Sequence, residues 1–368
     1  MVLEFMKPLG ELLGYIDNIN KELENVHPRK VDKDYLSFVS GKVSYTDLSQ
    51  DIQSGLMTPN WDMLDRPKSH LRPLIFLLLM GGLGKNPEDY VKYSSILEII
   101  HNGTLIHDDI EDSGKIRRGD APTYLKYGLD VAVNSANLMY FSPFLFLRKY
   151  KDDFSKEIII DAYSCLIEHL NRVTWGQAVD IRWHNNLKVP SVEEYLQMCC
   201  YKTGAVDRMV FSFAGVFSEV DGAKKEKLEN FGENLGICFQ IHDDFLDICS
   251  IDRKDIGGKS VGNDISEGKK SIVNILALNM LKNNEAQKLL DILNKQTENA
   301  EDISEALNLI GESGALEESL SLAKRKFGEL KVSIFKIIND EYATMLSELL
   351  DCMEKDMIKK YSSTPWAK

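Results

Sequence analysis

Two short runs of acidic residues are the part of this chain best suited to chemistry. Ile106-His107-Asp108-Asp109-Ile110-Glu111-Asp112 returns 135 positions later as Ile241-His242-Asp243-Asp244-Phe245-Leu246-Asp247, with the three aspartates at unchanged spacing. On a helix the first and last aspartate of each run share a face about 6 Å apart along the axis, with the middle one beside them. At roughly 6% Asp, Asp-Asp-x-x-Asp arises by chance on the order of 0.1 times in a chain of this length, so two copies point to a shared task rather than to two solvated acidic faces. Leu105-Ile106 precede the first run and Gly236-Ile237-Cys238-Phe239-Gln240-Ile241 the second, so both triads emerge from apolar segments. A carboxylate in such surroundings needs protonation, a basic partner or a metal. Oxygen-only ligands select hard cations, and Mg²⁺ fits best because it keeps waters and bridges to substrate phosphates.

The segments after the triads are opposite in character. Lys115-Ile116-Arg117-Arg118-Gly119-Asp120 follows the first, and Arg253-Lys254-Asp255-Ile256-Gly257-Gly258-Lys259-Ser260 leads on to Gly262 and Asp264 after the second. Arginines clamp phosphates with paired hydrogen bonds, and glycines let backbone amides approach an anion. A solvated basic loop is the alternative for either segment alone; beside an acidic triad, twice, it loses force. Gly81-Gly82-Leu83-Gly84-Lys85 and Gly258-Lys259-Ser260 resemble fragments of a phosphate-binding P-loop, but neither completes the motif and no strand precedes either. The first reads as a helix end.

The elements that must position these residues are helices. Apolar residues recur at three- and four-residue intervals from about residue 10 to about 350, and alternating strand patterns are nearly absent. The pattern predicts helices near 3–25, 33–55, 70–84, 87–113, 130–150, 154–184, 191–218, 223–252, 269–281, 284–297, 302–338 and 340–360. That is an all-α chain forming a single large bundle over 1–368, with the motif-bearing core at about 68–272. Both triads then fall at helix C-terminal ends, where the backbone already carries partial negative charge. This awkward placement strengthens the case for cations.

Composition narrows the partners. A net charge of −13 and a pI near 5.1 argue against nucleic acid or an anionic membrane surface. Six cysteines without a Cys-x-x-Cys pair read as reduced residues of an intracellular, cytoplasmic protein. The N-terminal stretch is a poor signal peptide, and Leu74–Leu83, the longest apolar candidate, is about half the length needed to span a bilayer. Acidic triads, Mg²⁺, basic loops and an apolar helical interior together specify a substrate with a diphosphate head and a hydrocarbon tail.

At this point the chain resembles the short-chain trans-isoprenyl diphosphate synthases, and most closely the eukaryotic geranylgeranyl diphosphate synthases. The resemblance rests on an ordered set: Arg72-Pro73, the first triad with its Arg117-Arg118-Gly119 tail, Gly176-Gln177-x-x-Asp180, Lys202-Thr203-Gly204, Phe239-Gln240-x-x-Asp243-Asp244-x-x-Asp247, Gly258-Lys259-x-x-Gly262-x-Asp264 and Glu267-Gly268-Lys269. It implies a helical bundle with a central apolar cavity, and head-to-tail condensation of isopentenyl diphosphate with dimethylallyl, geranyl or farnesyl diphosphate. Three Mg²⁺ ions would be held by Asp108, Asp109, Asp112 and Asp243, with Asp244 and Asp247 in support. Arg117, Lys202 and Lys259 would neutralise the allylic diphosphate, Arg118, Arg72 and His101 would hold isopentenyl diphosphate, and Thr203, Gln240 and Lys269 complete the expected contacts. The family is commonly homodimeric. One departure stands out, since Pro67-Lys68-Ser69-His70-Leu71-Arg72-Pro73 replaces the family's Gly-Lys-x-x-Arg-Pro and leaves open which of Lys68, Ser69 and His70 takes the lysine's place. His107 and His242 are expected to pack rather than act.

Product length follows from residues one turn before the first aspartate. Thr104 and Gly103 lie about 6 and 7.5 Å below Asp108 by helical rise, and both are small where farnesyl-specific relatives of eukaryotic type carry aromatic rings. The resemblance therefore implies a twenty-carbon geranylgeranyl product, with farnesyl diphosphate as a further product and Tyr140 or Phe141 as the deeper floor. A farnesyl diphosphate synthase and a non-catalytic regulatory subunit are the alternatives. The latter should have lost a triad or the arginine pair, and all are present.

Overall fold

The structure is a computed structural model that describes residues 6–41, 45–185, 188–249 and 262–367. Among these residues there are helices and no strands. The helices used below are α1 (Ile16–Val26), α2 (Lys33–Ser40), α3 (Thr58–Leu64), α4 (Leu71–Gly82), α5 (Val91–Glu111), α6 (Leu129–Lys149), α7 (Lys156–His184), α8 (Val192–Tyr201), α9 (Thr203–Phe217), α10 (Gly222–Cys249), α11 (Ile272–Met280), α12 (Asn283–Lys295), α13 (Ala300–Ser313), α14 (Ala315–Ile334) and α15 (Asp340–Ser362). Several begin at side-chain caps that satisfy otherwise unpaired amides: Asp32, Ser155, Ser191, Asn299 and Asn339 each accept from the first turn. Ser191 and Glu194 form a reciprocal capping box.

Helices α4 and α9 form the centre. Residues Pro73 to Gly82 of α4 are all buried, as are all residues of α9 after Thr203 except Arg208, which is what helices apolar on every side require. Around them, α9 packs on α10, α7 and α4, while α5 packs on α1, α4 and α6, and α14 joins α10 to α15. Tyr93 near the start of α5 meets Phe217 at the end of α9 with ring centroids 4.8 Å apart, which fixes the placement of the helix whose far end bears the first triad.

Three expected helices are broken. The stretch 33–55 is interrupted after Ser40, where Gly41 takes φ +76°, and helix resumes at Ser49 and runs on into the unanticipated α3. The stretch 302–338 is divided at Gly314, whose φ of +87° suits glycine alone. The stretch 191–218 breaks at Lys202 (φ −86°, ψ −96°) for a reason that lies elsewhere in the chain. Gly176 of α7 and Gly236 of α10 press against the break from two sides. A Cβ on Gly176 would stand 2.3 Å from the Lys202 amide nitrogen, and one on Gly236 would stand 2.7 Å from the Thr203 carbonyl oxygen. Gly81 and Gly82, at the end of α4 as expected, serve the same purpose against Tyr342 and Ile338.

Candidate active site

Asp108 and Asp109 lie in the last turn of α5, and Asp112 caps it, its amide donating to the Asp108 carbonyl at 2.9 Å. Each is met by a protein cation. Arg117 sets its Nε 2.8 Å from Asp109 Oδ1 and its Nη2 3.2 Å from Asp108 Oδ2. Lys202, brought in by the break between α8 and α9, stands 3.2 Å from Asp108 and 2.6 Å from Asp180 of α7. Lys269 stands 2.7 Å from both Asp112 and Glu267. Burial disfavours the charge on Lys202, but the facing carboxylates of Asp180 and Asp108 outweigh it and raise its pKa. Lys269 is raised likewise by Asp112 and Glu267 against burial. The acids are less well compensated. Burial pushes Asp112 up to about 6 despite Lys269, and burial followed by the charge of Asp108 pushes Glu111 up to about 7.

The arginine pair sits on a tight turn. Arg117 and Asp120 exchange backbone hydrogen bonds, with Arg118 (φ +53°) and Gly119 (φ +83°) between them in the left-handed region such a turn requires. Arg66, a residue with no motif to advertise it, braces the turn by donating to the carbonyls of Arg117 (3.0 Å) and Ala121 (2.8 Å) while paired with Asp62 at 2.6 Å.

The second triad divides by role. Asp244 is buried and accepts from Tyr195 Oη (2.7 Å), Gln240 Nε2 (2.8 Å) and the Ile272 amide (2.9 Å), so that it ties α8 and the start of α11 to α10. Its pKa nonetheless rises to about 6 because burial outweighs these bonds. Asp247 is buried too and accepts from the Asp264 amide at 3.0 Å. Asp243 alone is open, its side chain 77% exposed, with His242 Nδ1 at 3.7 Å. Thr203 Oγ1 donates to Gln240 Oε1 at 2.5 Å, extending a chain of hydrogen bonds from the α8–α9 break to Asp244. Lys269 links the triads, being paired with Asp112 and near enough to Asp244 and Asp264 to lower both acids' pKa values against burial.

A second basic cluster lies higher on α5. Arg72 forms a two-point pair with buried Asp207 (3.1 and 3.2 Å) and has Nη1 3.3 Å from the ring nitrogens of His101. His101 is held well below its ordinary pKa by burial and then by the Arg72 charge, so it is neutral. Arg118 donates to Asn102 Oδ1 at 2.8 Å. Of the three residues in place of the family lysine, His70 sets Nδ1 3.6 Å from the buried Glu98 carboxylate, while Lys68 donates to the Leu64 carbonyl and is drawn towards its charged form by the Glu98 charge against burial. Ser69 has no such contact among the described residues.

At the proposed chain-length positions the two expected floor residues separate. A Cβ on Gly103 would stand 2.9 Å from Met139 Cβ and 3.1 Å from Tyr140 Cδ1, so Tyr140 closes in directly on that turn of α5. Phe141 does not share this place. It is 63% exposed on the outer side of α6, because successive helical residues point about 100° apart, so the expectation of Phe141 as floor is corrected. Thr104 is half-buried, its hydroxyl donating to the His101 carbonyl at 2.7 Å. His107 rests against Tyr140 with ring centroids 5.2 Å apart, and His242 lies between the carboxylates of Asp243 and Asp356. Lys259, with Arg253, Lys254, Gly257 and Gly258, lies outside the described residues.

The donor set fits a hard divalent ion, since the reachable groups are carboxylate oxygens with ammonium nitrogens at 3.2 Å from Asp108 and 2.7 Å from Asp112, where positive charge is wanted. Among the described residues no three acidic, histidine or cysteine groups converge closely enough to bind an ion in this arrangement. Of the six expected ligands, Asp243 (77%) and Asp108 (24%) present exposed side chains, whereas Asp112, at 4%, is as buried as Asp109, Asp244 and Asp247.

Residues 53–310 match the profile of a family described as polyprenyl synthetase. The chain is 29% identical over 315 residues to a geranylgeranyl diphosphate synthase of Sulfolobus acidocaldarius, covering 86% of this chain and 90% of that one. It is 34% identical over 266 residues to a geranylgeranyl pyrophosphate synthase of Dictyostelium discoideum, covering 72% and 82%. Among solved structures, geranylgeranyl pyrophosphate synthetase from Pyrococcus horikoshii superposes with a TM-score of 0.81 over 96% of this chain and 99% of that one, at 22% identity, and so shares the fold. The enzyme of that description from Geoglobus acetivorans gives 0.76 at 25% identity, over 94% and 99%.

Proposed function

We propose that this chain, which belongs to the polyprenyl synthetase family, is a Mg²⁺-dependent prenyltransferase that adds isopentenyl diphosphate head-to-tail to allylic diphosphates and ends at geranylgeranyl diphosphate. One observation carries the reading. Asp108 and Asp112 share a face of α5 beside Lys202, Lys269 and Arg117, with the second basic cluster of Arg72, His101 and Arg118 on the same helix. Two phosphate-binding surfaces with one acidic group between them suit a reaction that joins two diphosphates.

Asp108, Asp112 and Asp243 would hold the metal, three ions as in the resemblance. The bound metal supplies charge to the departing diphosphate as the allylic C–O bond ionises. Lys202, Lys269 and Arg117 meet the diphosphate oxygens from the protein side, where charge develops in the transition state. Asp109, Asp244 and Asp247 keep the frame in register through Arg117, Tyr195, Gln240 and the Ile272 and Asp264 amides. The Gln240 and Thr203 oxygens lie beside Lys202, suitably placed to steady an allylic cation. Arg72, His101 and Arg118 hold isopentenyl diphosphate so that its double bond meets the cation, and no side-chain nucleophile is needed.

Small Gly103 and Thr104, together with the names of the relatives, support the twenty-carbon product over farnesyl diphosphate. Among the described residues no helix is long and apolar enough to cross a membrane. Exposed Leu129, Val133 and Phe141 of α6 and Ile160, Ile167 and Trp175 of α7 leave apolar side chains uncovered on neighbouring helices, which supports a homodimer through this face. Purified protein given Mg²⁺, labelled isopentenyl diphosphate and each allylic primer should yield geranylgeranyl diphosphate, and chelation should abolish it. No product with any primer would remove the reading.

A further inference from the structure

Glu98 and Asn102 are polar side chains buried in an otherwise apolar stretch of α5, and neither belongs to any motif above. Glu98 is 2% exposed and Asn102 fully buried. Asn102 Nδ2 donates to the Glu98 carbonyl (2.7 Å) and to Glu98 Oε1 (2.8 Å), and its Oδ1 accepts from Arg118 Nη1 (2.8 Å). Every hydrogen-bonding atom of the carboxamide is thus used, and its orientation is dictated by the carboxylate. Reversed, the amide would turn its N–H groups on a guanidinium that has only N–H groups to offer. The other Glu98 oxygen lies 3.6 Å from Nδ1 of His70, a non-glycine residue held at φ +52° and buried.

The two arginines of this cluster are held differently. Arg72 is bound at two points by a carboxylate, Asp207. Among the described residues Arg118 donates one side-chain hydrogen bond, to a neutral amide, and the acid stands behind that amide. A guanidinium has five N–H donors, so Arg118 keeps most of them for an incoming anion. Burial disfavours the charge on Glu98, but His70 and Lys68 outweigh burial and keep it ionised. Burial lowers Lys68 to about 8 and also lowers Arg118, so Glu98 is the internal anion that lets these cations gather without a ligand.

We propose that Glu98 and Asn102 are positioning residues of the isopentenyl diphosphate subsite: Glu98 fixes the Asn102 carboxamide, which aims Arg118 while leaving its remaining donors to the diphosphate. The inference rests on the assignment of that subsite to Arg72, His101 and Arg118. It is tested by steady-state kinetics of the purified full-length protein with Mg²⁺, varying isopentenyl diphosphate at saturating allylic diphosphate, and the reverse. Asn102→Leu should raise the KM for isopentenyl diphosphate about tenfold, the loss of one hydrogen bond to a charged group, with kcat and the allylic KM changed by less than about threefold. In an Arg118→Gln background the same substitution should add less than about twofold, because its effect passes through Arg118. Both KM values rising together, or the two substitutions multiplying, would overturn the proposal. If Asn102→Leu does not fold, Glu98→Gln removes the charge and retains an oxygen for Asn102; it should raise the isopentenyl diphosphate KM by about threefold or more, and an unchanged KM counts against the relay. Arg118→Gln alone separates the two layers. If it alters only the allylic KM, the subsite assignment fails, whereas if it alters the isopentenyl diphosphate KM and Asn102→Leu does not, the relay fails.

Discussion

Gly176→Ala places a methyl group where three helices meet. Its Cβ would stand 2.3 Å from the Lys202 amide nitrogen, 2.6 Å from the Tyr201 carbonyl carbon and 2.7 Å from Lys202 Cα, whereas ordinary contact begins near 3.4 Å. All three atoms are backbone, so no side chain can turn aside, and α7 must part from the α8–α9 break by about 1 Å. Alanine gains about 1 kcal/mol of helix propensity over glycine, and overpacking costs about 1–3 kcal/mol or more against rigid backbone. The net should be a loss of about 2 kcal/mol, or about 3 °C in melting temperature for a chain of this length. Activity should fall further. Lys202 holds its ammonium 2.6 Å from Asp180 and 3.2 Å from Asp108 only because the break lies flush against Gly176. Misplacing a charge by about 1 Å at a reacting centre can cost on the order of 100-fold, so kcat should drop at least about tenfold while the KM for isopentenyl diphosphate stays within about threefold. Differential scanning calorimetry and initial-rate assays on the same preparation read both quantities. An unchanged melting temperature with kcat within about twofold of the parent would refute the argument that close approach at Gly176 positions Lys202.

Three further outcomes are expected. Asp243→Asn should abolish turnover and cost about 1 kcal/mol or less of stability, since its exposed side chain faces His242 across 3.7 Å; Asp244→Ala should cost about 2–3 kcal/mol of stability through its three lost hydrogen bonds, and equal melting temperatures for the two variants would contradict the division of roles. Thr104→Phe should shorten the product towards farnesyl diphosphate on chromatography, whereas Gly103→Phe should chiefly destabilise, because Met139 and Tyr140 already touch that position; the reverse pattern would place the floor elsewhere. His27 is fully buried and pushed down to about 4, so it is neutral in the fold and titrates near 6.5 when unfolded. Its contribution to stability is complete above about pH 6.5 and is lost as the pH falls towards about 4, by about 3 kcal/mol. Denaturant melts of the parent and of His27→Gln near pH 7.5 and near pH 4.5 should therefore draw together or cross at low pH, and a constant difference would refute this.

Most of the helices were legible because a buried face repeats every three or four residues, and α4 to α7 and α10 lie within a few residues of their expected limits. The breaks at Lys202 and Gly314 were not, and they differ in kind. Gly314 carries its own signal, a glycine at a left-handed position between two helical runs. The break at Lys202 depends on Gly176 and Gly236, 26 and 34 residues away, and no local pattern records that approach. In the site, paired acids and bases declared themselves through repetition and order. Glu98 and Asn102 did not, although a close reading had a thread to follow: they stand four apart on α5, beside His101, on a stretch from Ile96 to Ile106 whose remaining residues, Thr104 aside, are apolar or glycine. Arg66 had none, since its task is to hold carbonyls more than fifty residues distant.

The cations that face Asp108, Asp109 and Asp112 have a consequence for the order of events. Arg117, Lys202 and Lys269 offset part of the charge on those carboxylates, but Lys202 is shared with Asp180 and Lys269 with Glu267, so the resting site keeps a net negative charge whose oxygens are already engaged by cations. A divalent ion arriving alone would have to displace these cations from Asp108 and Asp112, and a diphosphate arriving alone would bring negative charge towards the same carboxylates. Each brings the charge that the other needs. Their affinities are therefore thermodynamically linked, each ligand raising the affinity for the other by the same factor. Metal and diphosphate bound together would release the protein cations from Asp108 and Asp112 to the diphosphate oxygens, which neither ligand does singly.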